Sequence, residues 1–297
     1  MTNQICFYHK VDLDGVCSGA IVKHFIPECE LIGINYGDEI DLNKFVGKDV
    51  YMVDFCLEPF WRMGWLKDYC KLIWIDHHKS SIEEYDKQWK CESSFYIEGN
   101  RSIDKAGCEL TWEYFTKEPI PIAVKLLGRY DVWDLNYPNY EDSVLPFQYG
   151  LRSIFPSVMN PENRIWEKFL KITHQSHYLV KAFIWDIIEE GRIVLNYEKS
   201  MNETIMKNCS FEGKFLGYNA IFLNRSLVSS KTFESRYDES KHDLMISFYL
   251  LPTKVWTVSL YTTKENIDCS EMAKRFGGGG HRKASGFQTK KLWFLEE

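Results

Sequence analysis

The sequence predicts an α/β protein: a mostly parallel sheet flanked by helices at the amino end, a helical connector, and a smaller α/β domain at the carboxyl end. Three observations predict it. From Ile5 to Asp131, short apolar runs alternate with helical patterns, the signature of βαβ units. Residues 163–207 read as mostly helical, with few strand signals. From Ser210 onward, strand-like runs return between turn signals. These changes of texture place the domains at 1–160 and 209–297, joined by a connector at 161–208.

Ile5–Tyr8 is the first strand candidate and ends at His9-Lys10-Val11-Asp12-Leu13-Asp14-Gly15. Ser18–Phe25 reads as a helix closed by Pro27, and Leu31–Asn35 as a second strand. Val50–Val53 is a third, running directly into Asp54. Glu58–Tyr69 repeats apolar residues at three- and four-residue steps (Phe60, Met63, Leu66, Tyr69). Leu72–Ile75 then stops at Asp76-His77-His78. Two helices, Ala106–Thr116 and Ile120–Arg129, lead into Tyr130-Asp131-Val132-Trp133-Asp134. In the last domain, Phe211–Phe215 reads as a hairpin, and Tyr218–Leu223, Leu244–Leu251 and Val255–Tyr261 read as strands, with Pro252–Lys254 a turn. Asp268-Cys-Ser-Glu271 has the form of a capping box opening a short helix that ends in Gly277-Gly278-Gly279-Gly280-His281.

Composition narrows the function classes. With 45% hydrophobic and 26% charged residues, the chain is an ordinary globular one, neither disordered nor fibrous. The nine cysteines are scattered, form no C-x-x-C pair and lie mostly in apolar runs, as reduced thiols of a cytoplasmic protein would. No apolar run reaches the length of a membrane span. A net charge of −6 without a basic stripe argues against long duplex nucleic acid. It leaves short nucleotides open as substrates, because bound cations would reverse the local sign. The sequence does not fix the oligomeric state, and a homodimer is compatible with it.

The chemistry lies at the ends of the apolar runs. In a parallel sheet the strands point one way, so His9, Asp12, Asp14, Asp54, His77 and Asp131 should gather along one edge. Each alone has a plainer reading: a loop histidine, a helix cap, turn residues before Gly15. Carboxylates so crowded repel one another unless cations lie between them. One ion would be crowded by six such ligands, whereas two sharing a bridging carboxylate use them all. Two metals about 4 Å apart can hold a hydroxide and clamp a phosphoryl group. Carboxylate and imidazole ligands without thiolate favour Mn²⁺, with Mg²⁺, Co²⁺ or Zn²⁺ as alternatives.

His9-x-x-Asp12-x-Asp14-Gly15, Asp54, Asp76-His77-His78 and Asp131 resemble the four motifs of the DHH phosphoesterase superfamily. Phe276-Gly-Gly-Gly-Gly-His281-Arg-Lys-Ala-Ser-Gly-Phe287 resembles the glycine-rich motif of the DHH-associated C-terminal domain. The resemblance implies a dinuclear centre, usually manganese, in a cleft between two domains. His9 and Asp12 would hold one metal, Asp14, His77 and Asp131 the other, and Asp54 would bridge. Asp134 is the rival to Asp131. His78 would face the scissile phosphate, and Asp76 would orient a ligand imidazole from behind.

The four glycines allow backbone amides to approach an anion closely, which makes Gly278, Gly279, Gly280 and His281 candidates for holding phosphate. Where related nucleases often carry an arginine, the chain has Ser259-Leu260-Tyr261. The task then falls to Arg225 or Arg236, or Tyr261 stacks on a base. The expected function is a metal-dependent phosphodiesterase that cleaves short oligonucleotides or (cyclic) (di)nucleotides to 5′-mononucleotides by attack of metal-activated hydroxide. The alternatives are a pyrophosphatase or exopolyphosphatase and, from another class, a non-catalytic nucleotide sensor.

Overall fold

The computed structural model describes residues 3–91, 95–154, 157–280 and 282–295. The chain divides into two compact units, Met1–Leu195 and Asn196–Glu297. The first contains β1 (Gln4–His9), α1 (Leu13–Phe25), β2 (Glu30–Ile34), β3 (Asp49–Val53), α2 (Trp61–Tyr69), β4 (Lys71–Ile75) and α3 (Lys79–Cys91). It continues with α4 (Gly107–Phe115), α5 (Ile122–Asp131), α6 (Leu145–Ser153), α7 (Arg164–Lys171) and the first part of α8 (Tyr178–Cys209).

The sheet of this unit is fully parallel, in the order β2-β1-β3-β4. Its register decides where the strands stop. Tyr8 is level with Val53, and Val53 with Ile75, so His9, Asp54 and Asp76 follow on one edge. Side chains alternate between the two faces with the period of two that strands impose. Ile5, Phe7, Val50, Met52, Leu72 and Trp74 join the core on one side with Met63 and Leu66 of α2. Cys6, Val53, Ile73 and Ile75 face the other side with Val22 of α1 and Leu110 of α4. Segment 97–102 lies along the outer edge of β4, where the Trp74 and Asp76 amides donate to Glu98 and Asn100 carbonyls.

Three differences from the sequence reading have physical causes. The first helix begins at Leu13, not Ser18, because Asp12 caps it. Lys79–Cys91 is a helix although its composition is mostly polar. Residues 161–208, expected as a connector, are divided: Trp166, Phe169, Leu170, Ile184, Ile187 and Ile188 pack into the core of the first unit, whereas Met206 packs in the second.

The second unit forms a six-stranded sheet in the order β5 (Ser210–Phe215), β6 (Tyr218–Asn224), β7 (Leu244–Leu250), β8 (Trp256–Tyr261), β10 (Ala284–Thr289), β9 (Gly279–Gly280), with α9 (Cys269–Lys274) before β9. All its pairs are antiparallel except β6–β7. Asp268 caps α9 by accepting the Ser270 and Glu271 amides. Among the residues whose side chains are described, eight cysteines are free, seven of them buried and Cys209 exposed. Among the described residues, no helix is long and apolar enough to cross a membrane.

Within the first unit, α6 and α8 touch backbone to backbone. A Cβ on Gly150 would lie 1.9 Å from the Ile187 carbonyl oxygen, and one on Gly191 1.7 Å from that of Pro146. Gly191→Ala should therefore cost about 3 kcal/mol and lower the thermal midpoint by roughly 10 °C. An unchanged midpoint in a calorimetric scan would contradict this packing.

Candidate metal centre

The structure brings all six expected ligands to the carboxyl edge of the parallel sheet. His9 ends β1, and its Nδ1 lies 2.5 Å from Asp12 Oδ2 and 3.8 Å from Asp54 Oδ2. Its Nε2 lies 3.3 Å from Asn35 Oδ1, which steadies the ring. Asp12 divides its oxygens: Oδ1 accepts the Gly15 amide (2.8 Å) as helix cap, and Oδ2 faces His9. Gly15 has no room for a side chain, since a Cβ there would fall 2.2 Å from the His9 carbonyl oxygen.

Asp14, in the first turn of α1, turns toward the start of α4. Its carboxylate accepts the Gly107 and Cys108 amides at 2.7 and 2.8 Å. These are free donors at a helix N-terminus, where a negative charge is also favoured by the dipole. Asp54 adopts φ 53°, a left-handed conformation rare for a residue with a side chain. Gly107 makes room for it, because a Cβ there would approach the Asp54 Cβ to 2.7 Å and Asp14 Oδ2 to 3.0 Å.

His77 Nε2 sits among three acids: Asp54 Oδ1 at 3.2 Å, Asp131 Oδ2 at 3.2 Å and Asp14 Oδ2 at 3.6 Å. Of the two rival acids, Asp131 is the one in the cluster. Asp134 pairs with Arg129 (3.1 Å), which also pairs with the buried Glu109 of α4. Lys125 is 2.7 Å from the other oxygen of Glu109, so α5, which ends at Asp131, is tied to α4 by two ion pairs.

Donor atoms within 4.8 Å of one another form three triads: His9–Asp12–Asp54, Asp14–His77–Asp131 and Asp54–His77–His78. Asp54 belongs to two of them, the position a bridging carboxylate needs. Its Oδ1 is buried and makes no hydrogen bond among the described residues. A buried carboxylate oxygen that makes no hydrogen bond is costly unless a cation faces it. Burial, and then the charges of Asp14, Asp12 and Asp131, push the Asp54 carboxyl well above its ordinary range. Burial, with the charges of Asp14 and Asp12, likewise raises Asp131 to about 8. The residues therefore fit divalent cations, and hard oxygen and imidazole donors suit Mn²⁺, Mg²⁺, Co²⁺ or Zn²⁺.

Asp76 has a different task from the expected one. It is fully buried, and its Oδ1 accepts the His77 and His78 backbone amides (2.7 and 3.2 Å). The same oxygen lies 2.7 Å from His78 Nδ1, so Asp76 orients His78 rather than the His77 ring. Burial alone would lower the His78 pKa, but the hydrogen bond with Asp76 and its charge raise it to about 9.

In the second unit the glycine run is narrower than an open cradle. The Gly277 and Gly278 amides close α9 by donating to Lys274 and Ala273 carbonyls. Gly278 also packs against β10, where a Cβ would lie 2.1 Å from the Gly286 carbonyl oxygen. Gly279 and Gly280 form the edge strand β9. His281 lies outside the described residues. Tyr261 donates its hydroxyl to the Val228 carbonyl (2.7 Å) and packs, partly buried, against Phe233. Arg225 and Arg236 bond Asn202 and the Met206 carbonyl. Sequence reasoning missed Asn35, Gly107 and Cys108; only the glycine before a helix gave a signal.

No protein-family model matches the chain. It is 28% identical over 260 residues to an uncharacterized protein of Acanthamoeba polyphaga mimivirus, covering 82% of this chain and 54% of that one. It is 24% identical over 229 residues to the oligoribonuclease NrnB of Bacillus subtilis (73% and 52%). The chain thus spans about half the length of these curated relatives. Among solved structures, it resembles the DHH domain of a member of a family of ribosomal proteins, with a TM-score of 0.57 at 14% identity (99% of this chain, 85% of that one). It also resembles a pGpG-specific phosphodiesterase, PggH, of Vibrio cholerae, with a TM-score of 0.53 at 12% identity (99% and 95%).

The raised carboxyls set a pH dependence. Asp131 binds its proton more tightly folded than unfolded between its ordinary 3.8 and about 8, so stability contributed by that proton falls as pH rises through this window. Metal-free protein should melt at a lower temperature at pH 8 than at pH 5, and Mn²⁺ should raise the midpoint at pH 8. Equal midpoints at both pH values, or no response to Mn²⁺, would contradict the crowding.

Proposed function

We propose that this chain, which shares the fold of a DHH domain, is a divalent-metal phosphodiesterase of the DHH type that cleaves short oligonucleotides or (cyclic) (di)nucleotides to 5′-mononucleotides. The observation that carries the reading is the convergence of His9, Asp12, Asp14, Asp54, His77 and Asp131, with a buried Asp54 oxygen that makes no hydrogen bond among the described residues. Cations bound there would supply Lewis acidity toward phosphoryl oxygens and water. His9 and Asp12 would hold one, and Asp14, His77 and Asp131 the other, with Asp54 between them. The resemblance to an oligoribonuclease and to a pGpG-specific phosphodiesterase supports nucleotide substrates.

In this reading His78 serves as the general acid. Asp76 holds its Nδ1, which leaves Nε2 to carry a proton toward the leaving oxygen. Mn²⁺ is the metal we propose. The glycine edge around Gly278, Gly279 and Gly280, with His281, remains our candidate for binding a substrate phosphate.

A panel of dinucleotides, cyclic nucleotides, 3′,5′-bisphosphates and pyrophosphate, assayed in Mn²⁺, tests the substrate class. Release of mononucleotide from dinucleotides supports the reading; phosphate from pyrophosphate alone points to an anhydride hydrolase. Asp54→Ala should lower turnover by more than ~100-fold with loss of bound metal. His78→Ala should lower kcat by about 100-fold while the metal stays bound. Full activity in Asp54→Ala would end the metal reading.

A further inference from the structure

We propose that Tyr36 is a stacking platform for the nucleobase next to the phosphate at this centre, a proposal that rests on the phosphoesterase reading above. Tyr36 follows β2 at the same sheet edge as the ligands. Its ring is 5.8 Å from that of His9, edge to face, and 4.6 Å from that of Phe55, the residue after Asp54. Phe55 is buried, whereas Tyr36 is 40% exposed. One aromatic thus anchors the ring from below while the ring itself keeps surface open to solvent.

The turn that presents it is fixed. Asn35-Tyr36-Gly37-Asp38 is closed by the Asp38 amide donating to the Asn35 carbonyl, with Gly37 at φ 90°. Tyr36 thus occupies the corner of a tight turn whose next residue needs a positive φ. The Asp38 carboxylate accepts the Asn35 amide (3.0 Å) and the Lys10 ammonium (2.5 Å). Lys10 directly follows His9, so the turn is bound to the strand that carries a ligand.

A flat ring held rigidly beside a phosphate-binding centre has a clear physical use. Bases stack on aromatic side chains with little dependence on sequence, and a preorganised ring loses little entropy on binding. An inorganic phosphate or pyrophosphate would have no use for it. The occupant is therefore a nucleobase, and the substrate class narrows to nucleotides without a strict base preference at this position.

The test compares adenosine 5′-monophosphate with ribose 5-phosphate, which differ only in the base, by calorimetric titration of full-length Mn²⁺-loaded protein. Wild type should bind the nucleotide more tightly. Tyr36→Ala should weaken nucleotide binding about tenfold and leave a much smaller gap between the two ligands, while Tyr36→Phe keeps the wild-type gap. The proposal is overturned if wild type binds both equally, or if Tyr36→Ala weakens both alike. Dinucleotide turnover by wild type, measured separately, decides the phosphodiesterase reading. Its absence would sink that reading, while the binding gap still judges Tyr36.

Discussion

Mutual repulsion among buried carboxylates is the constraint on which the rest of the first unit depends. Asp14 and Asp54 are almost completely buried, and Asp131 and Asp12 stand close by. Nothing in the charges themselves would bring them together. Backbone geometry does: a helix N-terminus holds Asp14, a left-handed turn aims Asp54, and a helix end delivers Asp131. The ion pairs of Glu109 with Lys125 and Arg129 clamp that last helix in place. Buried charges of this kind are tolerated only when fully partnered, and Glu109 has a cation on each oxygen.

Much of this was legible in the sequence because strand periodicity and strand ends are local signals. Trp74 and Ile75 belong to an apolar run whose break at Asp76 marks the edge of the sheet, and parallel pairing then gathers the breaks. The division of labour among the acids at 131 and 134 was not legible, because it depends on where Arg129 points. Nor was the task of Asp76, which follows from the backbone curling so that one carboxylate oxygen meets two amides and a ring.

The glycines show the limit from another side. A run of four reads equally well as an anion cradle or as a turn, and only tertiary contact separates the two. Gly278 is small because β10 passes over it, and Gly279 and Gly280 carry no alternating pattern that would betray a strand. Tyr36 was invisible for a similar reason. A single aromatic in a turn has no periodicity, and its meaning comes from Phe55 and His9 beside it.

The ligands are also graded by depth. The side chains of Asp14 and Asp54 are 1% and 2% exposed, whereas those of Asp12 and Asp131 are 39% and 30% exposed. The outer acids face solvent and the inner ones do not, so Asp12 and Asp131 are the groups a cation bound here would share with solvent, while Asp14 and Asp54 would hold it from the buried side. Salt screens exposed charges far more than buried ones, so added salt would act on the outer acids much more than on the buried pair.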